Sequence, residues 1–427
     1  MLKNIEVKQN SHYTFKYNKS LGRHGWLRLT PAYSVKLVSD ILKYYNNKNI
    51  TIFDPFSGTG TTGIISAKYG YNAILNDINP FLVWFASQKA KNYSDIVRLN
   101  VEDKLFTILN NIEKKIFLNN WIPNIHNIDR WWSKETLNII SAIRASIVEV
   151  IGEPSLNNEY NLIWIGFCRL IIETSSASFN HISMSFKNGT IIYEKNEVLE
   201  LFKLILKNII ESSKDNILGD VQIYNDNSKL LPNIPITDLV ITSPPYPNRI
   251  SYIRELRPYM YWLKFLNNAN DSSEIDWNCI GGTWGSATSK LMLWTPEENI
   301  DFKLLNNYVE EINNTNMENS KLMSIYVYKY FHDMFFHIKR LYNILNTNSD
   351  IYYIIGNSTF FGVNVDSDLL YRKMFEICGF NNINSVIIRK RNCNKKLYEY
   401  CVMASKGKGI LKEKMQLNTQ EEFDFGK

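Results

Sequence analysis

The sequence predicts an α/β fold: a Rossmann-like, doubly wound, mostly parallel sheet with a C-terminal antiparallel hairpin and a helical insertion. Near the N-terminus, short apolar runs alternate with helical periodicity in the order strand, helix, strand, helix, which is how doubly wound sheets begin. A long stretch with helical spacing of apolar residues then interrupts the strands. Near the C-terminus, two apolar runs flank the basic turn at residues 389–396, which indicates a hairpin.

The individual elements follow from these patterns in chain order. In the N-terminal part they are a buried strand at 50–53, a helix that ends near Tyr69 before Gly70, a strand at 73–76 and a helix from Pro80 to Lys91. Proline is well tolerated in the first turn of a helix, which supports a helix start at Pro80. In the C-terminal part they are strands at 221–224, 238–242 and 351–355, a helix at 369–378 and hairpin strands at 386–388 and 400–403.

Breaks in the pattern divide the chain into a sheet domain and two insertions. The sheet domain is predicted in three pieces, with a helical insertion between the first two and a second insertion, which contains tryptophan and glycine, between the last two. The predicted ranges are 1–94, 216–265 and 326–410 for the sheet domain, 95–215 for the helical insertion, 266–325 for the second insertion and 411–427 for a disordered polar tail.

Composition narrows the classes of function. With 45% hydrophobic residues among 427, the chain can bury a substantial core. The net charge of +6, from 48 basic and 42 acidic residues, is compatible with nucleic acid binding but does not require it. The five cysteines show no CxxC or zinc-like spacing, and no metal is expected. Neither a signal peptide nor a membrane span is predicted, so we expect a cytoplasmic protein.

A glycine-rich turn follows the first predicted strand. Residues 58–63 match the pattern G-x-G-x-x-G, and Asp77 lies about 20 residues further on, at the end of the next strand. Glycine lets a ligand approach the backbone closely, and an acidic residue in that position can accept hydrogen bonds from both ribose hydroxyls. Alone, this pattern fits NAD as well as S-adenosylmethionine, or a turn of purely structural origin. It is not a P-loop, because Ile64 stands where the lysine is needed.

A second segment, Ser243-Pro244-Pro245-Tyr246, follows the strand at 238–242. Together with Asp54-Pro55-Phe56 before the glycines and Asp77-Ile78-Asn79-Pro80 after the next strand, it resembles the amino-methyltransferases of DNA. These enzymes transfer a methyl group from S-adenosylmethionine to an exocyclic base nitrogen. The resemblance covers the three pieces of the sheet domain and implies a class I methyltransferase fold.

The resemblance also implies a set of cofactor contacts. Asp54 is expected near the ammonium of the methionine part, Asp77 at the ribose, Ile78 beside the adenine and Asp226 at the adenine amino group. Residues 29–33 resemble the segment that closes over the methionine carboxylate. The predicted cofactor-binding residues are Thr30, Pro31, Asp54, Phe56, Gly58, Gly60, Thr61, Asp77, Ile78, Asn79 and Asp226.

The predicted catalytic residues are Ser243, Pro244, Pro245 and Tyr246. The amino nitrogen of a base is a poor nucleophile because its lone pair is delocalised into the ring. The Ser243 hydroxyl and the Pro244 carbonyl can accept the two amino hydrogens, and proline rigidity fixes the direction of that carbonyl. Tyr246 can stack on the target base once the base has left the duplex, which contributes about 1–3 kcal/mol.

The first residue of this tetrapeptide bears on which base is methylated. In the resembled family, Ser is typical of the cytosine-N4 branch and Asp is usual for adenine N6. Ser243 therefore favours cytosine N4, with adenine N6 as the alternative. A C5-cytosine enzyme is not expected, because it needs a thiolate in a Pro-Cys pair and no proline in this chain is followed by cysteine.

Basic residues after the catalytic segment and on the C-terminal hairpin are candidates for contact with double-stranded DNA. They are Arg249, Arg254, Arg389, Lys390, Arg391 and Lys395. The two insertions are the candidate regions for reading the base sequence. Tryptophan pairs such as Trp131 and Trp132 are more typical of a core, so no individual base-reading residue is assigned.

The predicted function is therefore a site-specific DNA methyltransferase of a restriction–modification system, with S-adenosylmethionine as cofactor and a cognate endonuclease as a candidate partner. Two alternatives remain at this point. One is an RNA amino-methyltransferase, such as a guanine-N2 enzyme of tRNA, which shares the cofactor loop and the paired prolines. The other is an NAD-dependent oxidoreductase, which shares only the glycine loop.

Overall fold

The computed structural model describes most of the chain. The described residues are 13–14, 17–18, 21–27, 29, 33–178, 185–186, 189–248, 251, 253–282, 287–391 and 397–410. Some predictions fall outside them, and these concern Thr30, Pro31, Arg249, Lys395 and the tail at 411–427.

The strands of the described chain form one large sheet and two short pairs. They are β1 (Thr51–Asp54), β2 (Asn72–Asn76), β3 (Ala177–Ser178), β4 (Ser185–Phe186), β5 (Val221–Tyr224), β6 (Thr237–Thr242), β7 (Leu345–Gly356), β8 (Ser358–Phe360), β9 (Val363–Val365), β10 (Asn381–Lys390) and β11 (Tyr398–Lys406). The large sheet has the order β10-β11-β7-β6-β1-β2-β5. The short pairs are β3 with β4 and β8 with β9, both antiparallel.

The large sheet confirms the predicted fold class. From β5 through β2, β1 and β6 to β7, neighbouring strands are parallel. Strand β11 then runs antiparallel to both β7 and β10, which makes the predicted C-terminal hairpin. Strand β7 begins six residues before the predicted start at 351, because residues 345–350 are mostly polar and carry no apolar strand pattern.

Helices connect and cover the strands. They are α1 (Val35–Leu42), α2 (Thr61–Lys68), α3 (Pro80–Lys89), α4 (Asp95–Lys115), α5 (Lys134–Ile151), α6 (Asn161–Glu173), α7 (Lys195–Ser212), α8 (Arg257–Trp262), α9 (Ala269–Asn278), α10 (Ala287–Leu293), α11 (Lys303–Asn313), α12 (Ser320–Ile344) and α13 (Ser367–Ile377). None of the helices in the described ranges combines the length and the apolar character needed to span a bilayer.

Alternation along the central strands places apolar side chains on both faces of the sheet, as a doubly wound fold requires. Ile52 and Leu239 pack with α1 on one face. Phe53 and Val240 pack with α12 and α13 on the other face. The sheet is therefore buried on both sides, and ligands reach it only at its edges.

The helices α4–α7 of the predicted helical insertion share a core with α3 and α8 of the sheet domain. Trp132, Trp164 and Trp262 are buried in it, and the ring centroids of Trp132 and Trp262 lie 5.9 Å apart in an edge-to-face arrangement. Such aromatic pairs add to the stabilisation from burial alone. The insertion is thus packed directly against α8, the helix that follows the Ser-Pro-Pro-Tyr segment.

The helices of the second insertion pack against α12. Leu305 and Ile312 of α11 are fully buried there. The Lys329 ammonium of α12 lies 2.5 Å from the Asp333 carboxylate and 5.1 Å from the ring centroid of Trp277 in α9. Because α12 begins at Ser320, it starts inside the range predicted for the insertion, and one continuous helix joins the insertion to the sheet.

The third glycine of the glycine-rich turn lies in helix α2, where the helix touches strand β2. A Cβ on Gly63 would lie 2.7 Å from Cδ1 of the buried Leu75. This distance is shorter than any normal contact between carbon atoms. Only glycine therefore allows α2 to pack this close to the sheet.

Gly63→Ala is expected to lower the free energy of unfolding by about 1–3 kcal/mol, because the added methyl group overpacks a full site. Chemical denaturation measures the change. Ser66→Ala on the same helix is the control, since the Ser66 hydroxyl is buried without a hydrogen-bond partner in the described part of the chain and its loss is expected to cost little. A Gly63→Ala variant as stable as the wild type would contradict the close packing.

Candidate active site

The glycine-rich turn follows strand β1, and the Ser-Pro-Pro-Tyr segment follows its neighbour β6. Strands β1 and β6 are parallel neighbours, so their carboxyl ends lie at the same edge. At this edge the Asp54 carboxylate accepts hydrogen bonds from the Thr62 hydroxyl and the Thr242 hydroxyl, each at 2.6 Å. Thr62 belongs to the first turn of α2, and Thr242 directly precedes Ser243. One buried carboxylate thus connects the predicted cofactor loop (residues 58–63) to the predicted catalytic segment (residues 243–246), and these two names are used below in that sense.

The position of Asp54 differs from the prediction that it meets the cofactor ammonium. Its side chain is fully buried, and Tyr33 contributes a further hydroxyl contact at 3.4 Å. Burial raises the pKa of Asp54 to about 6, although the hydrogen bonds from Thr242 and Thr62 oppose this shift. Both carboxylate oxygens accept hydrogen bonds from protein hydroxyls. Asp54 therefore holds the glycine-rich turn and the Ser-Pro-Pro-Tyr segment in position, and its side chain has no exposed surface for a ligand.

The glycine-rich turn is open at Gly58 and packed at Gly60. Gly58 and Gly60 have φ angles of +49° and +75°, a region that favours glycine. A Cβ on Gly58 would meet no atom within 4 Å, so the backbone there can approach a ligand. Gly60 precedes the first residue of α2, the buried Thr61, so the amide groups of the first helical turn begin at this loop.

Asp77 lies across from this turn. Its Oδ2 accepts a hydrogen bond from the Gly58 N–H at 2.8 Å, and its Oδ1 accepts one from the Asn79 N–H at 2.9 Å. The side chain is half-buried, and burial raises the pKa of its carboxyl to about 6 against these two hydrogen bonds. Each oxygen keeps a second lone pair, so the carboxylate can hold the loop and still accept hydrogen bonds from a ribose.

The remaining predicted cofactor residues lie around this carboxylate. Ile78 and Phe56 are half-buried, and the Phe56 ring packs against the His337 ring with centroids 4.8 Å apart. Asn79 caps α3 by accepting a hydrogen bond from the Phe81 N–H at 3.0 Å. Asp226 is exposed after β5.

Asn76 connects Asp226 to this group. The Asp226 N–H donates to the Asn76 side chain at 3.1 Å. The ends of β1, β2 and β5 thus bring together Phe56, Gly58, Asp77 and Asp226. These residues come from separate parts of the sequence, and each lies at the same edge of the sheet.

Lys89 is a residue of this site that the sequence analysis missed. Its ammonium donates to the Thr59 carbonyl of the glycine-rich turn at 2.7 Å, and the side chain is buried. Burial lowers the pKa of Lys89 to about 7, and the Arg23 charge adds to the shift. Lys89 thus fixes the turn from the end of α3. No local pattern signals this contact, because the two residues are 30 positions apart.

The catalytic segment is held from two sides. The Ser243 hydroxyl donates to the Ile354 carbonyl of β7 at 3.2 Å. The Pro245 carbonyl accepts a hydrogen bond from the Tyr330 hydroxyl of α12 at 2.7 Å. Pro244 is buried and Pro245 is half-buried. The Tyr330 bond is made to Pro245, so it does not occupy the Pro244 carbonyl that the sequence analysis assigns to the target amino group.

Tyr330 is a second residue that the sequence analysis missed. Its hydroxyl lies 2.7 Å from the Tyr371 hydroxyl of α13, and both rings are buried. A Cβ on Gly281 of the second insertion would lie 3.2 Å from the Tyr330 ring and 3.7 Å from Pro245. The catalytic segment, α12, α13 and the second insertion therefore meet at one buried tyrosine.

The Tyr246 ring is half-buried. It packs so closely on Gly356 that a Cβ there would lie 2.9 Å from the ring. The guanidinium of Arg391 lies 5.6 Å from the ring centroid. Burial raises the pKa of the Tyr246 hydroxyl, with the Glu399 carboxylate adding to the shift and a hydrogen bond with Ser243 opposing it. A base that stacks on the face now covered by Arg391 must displace that guanidinium.

The predicted basic cluster on the hairpin is not a set of free cations. Arg389 makes a two-point ion pair with Glu399, at 2.7 Å from its Nε, so its charge is largely compensated within the protein. Arg391 donates to the Asn357 carbonyl at 3.0 Å. Lys390 and Arg254 are half-buried. Among the predicted DNA-contacting residues of the hairpin that the structure describes, Arg391 contacts the predicted catalytic segment, at the Tyr246 ring.

Comparison with known proteins identifies relatives. The family model of D12 class N6 adenine-specific DNA methyltransferases matches residues 35–227. Type II methyltransferase M.BsoBI of Geobacillus stearothermophilus is 24% identical over 438 residues, with 89% of this chain and 83% of that protein covered. Type II methyltransferase M.AvaI of Nostoc sp. is 23% identical over 405 residues, with coverages of 86% and 81%.

A third relative supports the same assignment. Type II methyltransferase M.MvaI of Kocuria varians is 21% identical over 354 residues, with 76% of this chain and 74% of that protein covered. These matches extend over both insertions as well as the sheet domain. They also decide against the NAD-dependent alternative left open by the glycine loop. Over most of its length the chain is thus similar to type II methyltransferases, and these matches support an S-adenosylmethionine-dependent DNA methyltransferase of a restriction–modification system.

Proposed function

We propose that this methyltransferase modifies the exocyclic N4 of a cytosine that is extruded from double-stranded DNA at a specific site, and that it protects this site from a cognate endonuclease. The observation that carries the proposal is Ser243. A hydroxyl stands at the end of β6 where adenine-N6 enzymes of the resembled family usually have a carboxylate.

The hydrogen bonding of Ser243 supports its role as an acceptor. A serine hydroxyl has one donor and two acceptor sites. Its proton is directed to the Ile354 carbonyl and the Tyr246 hydroxyl is a second partner, so one acceptor site is left for a base amino group. A positioned acceptor at that point draws electron density toward the amino nitrogen and makes it more nucleophilic as the methyl group arrives.

Adenine N6 is the second candidate, because the matching family model is described as adenine-specific. The match covers residues 35–227 and ends before Ser243. It therefore includes the glycine-rich turn and Asp77 but not the segment that would contact the target base. Ser243 therefore bears more directly on the identity of the target base than the family description does.

The cofactor is proposed to lie along the carboxyl edge of β1, β2 and β5. The open backbone at Gly58 would accommodate the methionine part, and Asp77 would accept the ribose hydroxyls. Ile78 and Phe56 offer apolar surface to the adenine, with Asp226 at its amino edge. S-adenosylmethionine supplies an electrophilic methyl group when bound. The protein residues orient this group toward the turn at 243–246, since in-line transfer depends on positioning.

The target base is proposed to enter between this cofactor site and Tyr246. Extrusion costs a few kcal/mol, and stacking on the Tyr246 ring would offset much of that cost. Ser243 and Pro244 would accept the amino hydrogens. Arg391 would leave the ring and neutralise a phosphate of the same strand, as basic side chains do in base-extruding enzymes.

The decisive experiment is long-read sequencing of DNA from a methylation-free host that expresses the protein, combined with mass spectrometry of its nucleosides. N4-methylcytosine at one recurring site is the expected result. N6-methyladenine at that site would establish the adenine alternative and remove cytosine N4. A candidate endonuclease partner would be tested by protection of the same site from cleavage.

Ser243→Ala is expected to lower kcat for DNA methylation by about 100-fold or more while S-adenosylmethionine affinity stays nearly unchanged, because only the acceptor at the target amino group is lost. Rates with labelled cofactor measure kcat, and calorimetric titration measures affinity. Ser349→Ala, a buried serine that bonds the Asn346 carbonyl in β7, is the control. Turnover like that of the wild type would exclude Ser243 from catalysis.

Asp77→Asn is expected to weaken S-adenosylmethionine binding by about 10- to 100-fold, because charge-assisted hydrogen bonds contribute about 1.5–3 kcal/mol. The amide keeps the size of the side chain, and calorimetric titration measures the affinity. Asp220→Asn, an exposed residue before β5, is the matched control and should bind normally. Equal affinity in both variants would overturn the ribose role of Asp77.

Tyr330→Phe is expected to lower kcat about tenfold with unchanged cofactor affinity. The ring stays in place, but the Pro245 carbonyl loses its partner, at a cost of about 1–3 kcal/mol for a buried acceptor. Tyr308→Phe is the control, because the Tyr308 hydroxyl donates to Asp366 and makes no hydrogen bond with residues 243–246. A lower unfolding midpoint with normal kcat would show that Tyr330 serves stability alone.

A further inference from the structure

A cleft of about 300 Å³ opens next to the catalytic segment. Asn248, two residues after Tyr246, lines one side, and Arg391 lines another. The cleft is distinct from the cofactor edge at Asp77. None of its residues except Arg391 was predicted from the sequence to contact DNA.

The third side of the cleft is the short hairpin of β8 and β9. Phe360 is buried, with its ring centroid 6.0 Å from that of Tyr326. Val363 and Val365 are buried in the core that contains α12 and α13. Three buried apolar side chains thus fix the hairpin to the body of the protein, and its turn lines the cleft beside the predicted catalytic segment.

Phe361 lies at the turn of this hairpin and lines the cleft. Its φ angle is +48°, a conformation that is strained for a bulky side chain and that glycine adopts freely. Its ring is 38% exposed. The backbone strain offsets part of the stabilisation that folding gains from the buried part of the ring. Strain of this kind is concentrated at ligand-binding sites.

The chemistry of the cleft is that of a nucleotide site. The Phe361 ring offers a face to a base, since base–aromatic stacking does not depend on base identity. Arg391 offers a guanidinium to a phosphate. The hydroxyls of Ser358 and Thr359 and the amide of Asn248 line the space between and can bond sugar or base edges. The volume is at the lower end of the range for ligand pockets, which suits one nucleotide rather than a stacked duplex step.

We propose that this cleft binds the nucleotide next to the extruded target base, and that Phe361 stacks on its base and keeps it out of the duplex stack. Apolar wedges in other DNA-binding proteins open base steps in this way. The inference rests on the proposed transfer to an extruded base, but it holds equally for cytosine and adenine. It assigns to the β8–β9 hairpin a direct part in opening the duplex.

Phe361→Gly tests the proposal. Glycine removes the ring and suits the positive φ angle, so the unfolding midpoint should stay the same or rise. KM for unmethylated plasmid DNA that carries the target site should rise about tenfold, in line with the loss of one base–aromatic stack. The affinity for S-adenosylmethionine should stay unchanged. Phe361→Trp retains a stacking face and should keep KM near the wild-type value.

Tyr69→Ala is the matched control, because this ring is 41% exposed and lies just after the C-terminal end of α2, away from the carboxyl edge of the sheet. It should leave KM for DNA unchanged. A second readout is the fluorescence of 2-aminopurine placed beside the target in a duplex with the mapped site. Binding of the wild-type protein should raise the 2-aminopurine fluorescence, and binding of Phe361→Gly should raise it much less.

The outcomes separate the two proposals. An unchanged KM and an unchanged fluorescence rise in Phe361→Gly would overturn the role of the cleft, whichever base is methylated. An equal loss in Phe361→Trp and Phe361→Gly would also overturn it, since the stacking face would then not matter. Identification of the methylated nucleoside in the same reactions decides between cytosine and adenine. The KM values of the variants can be compared whichever base is found.

Discussion

The Asp54 carboxylate is the contact on which the rest of the site depends. It ends β1, receives the Thr62 hydroxyl from α2 and receives the Thr242 hydroxyl from β6. A carboxylate without such partners would be costly to bury, so the three segments are stable together only in this arrangement. Because Ser243 follows Thr242 directly, the distance between the cofactor loop and the catalytic segment is set by hydrogen bonds shorter than 3 Å. Methyl transfer loses about 100-fold in rate for a displacement of about 1 Å, which is why a buried and rigid connection is suited to this position.

The catalytic segment depends equally on elements outside the central sheet. Tyr330 connects the Pro245 carbonyl to α12 and α13, and Gly281 brings the second insertion against the same ring. On the other side, α8 packs into the core of the helical insertion. A DNA contact made by either insertion can therefore reach the segment through packed side chains rather than through a flexible linker. This arrangement offers a physical route by which binding at the correct site could favour the reactive geometry, since tightly packed elements transmit small displacements.

The sequence predicted the fold class and most strands of the large sheet, but not the long-range contacts that hold the two loops in place. The pattern of Val221–Tyr224 predicts β5 with its observed bounds, and the chain order of glycine turn and Asp77 predicts that the two meet, because parallel strands end at one edge. Lys89, Tyr330 and the β8–β9 hairpin could not be found in this way. Lys89 reaches a carbonyl 30 residues away and Tyr330 one 85 residues away, and neither contact leaves a local pattern. The role expected for Asp54 failed for a related reason: its burial depends on hydroxyls contributed by three distant segments.

On the C-terminal hairpin, the orientation of each charged side chain matters more than the number of basic residues. Glu399 is buried and paired with Arg389, so this pair adds little to the attraction of DNA while it stiffens the hairpin near Tyr246. Arg391 is instead directed at the neutral Tyr246 ring and Asn357 carbonyl, and its charge also acts on the Glu399 carboxylate. A phosphate is a stronger partner for a guanidinium than the ring or the carbonyl. Under the proposed function, the approach of the DNA backbone would favour movement of Arg391 away from the ring, and the same movement would expose the aromatic face for an extruded base. Access to the catalytic segment would thus be coupled to the arrival of the polyanion itself.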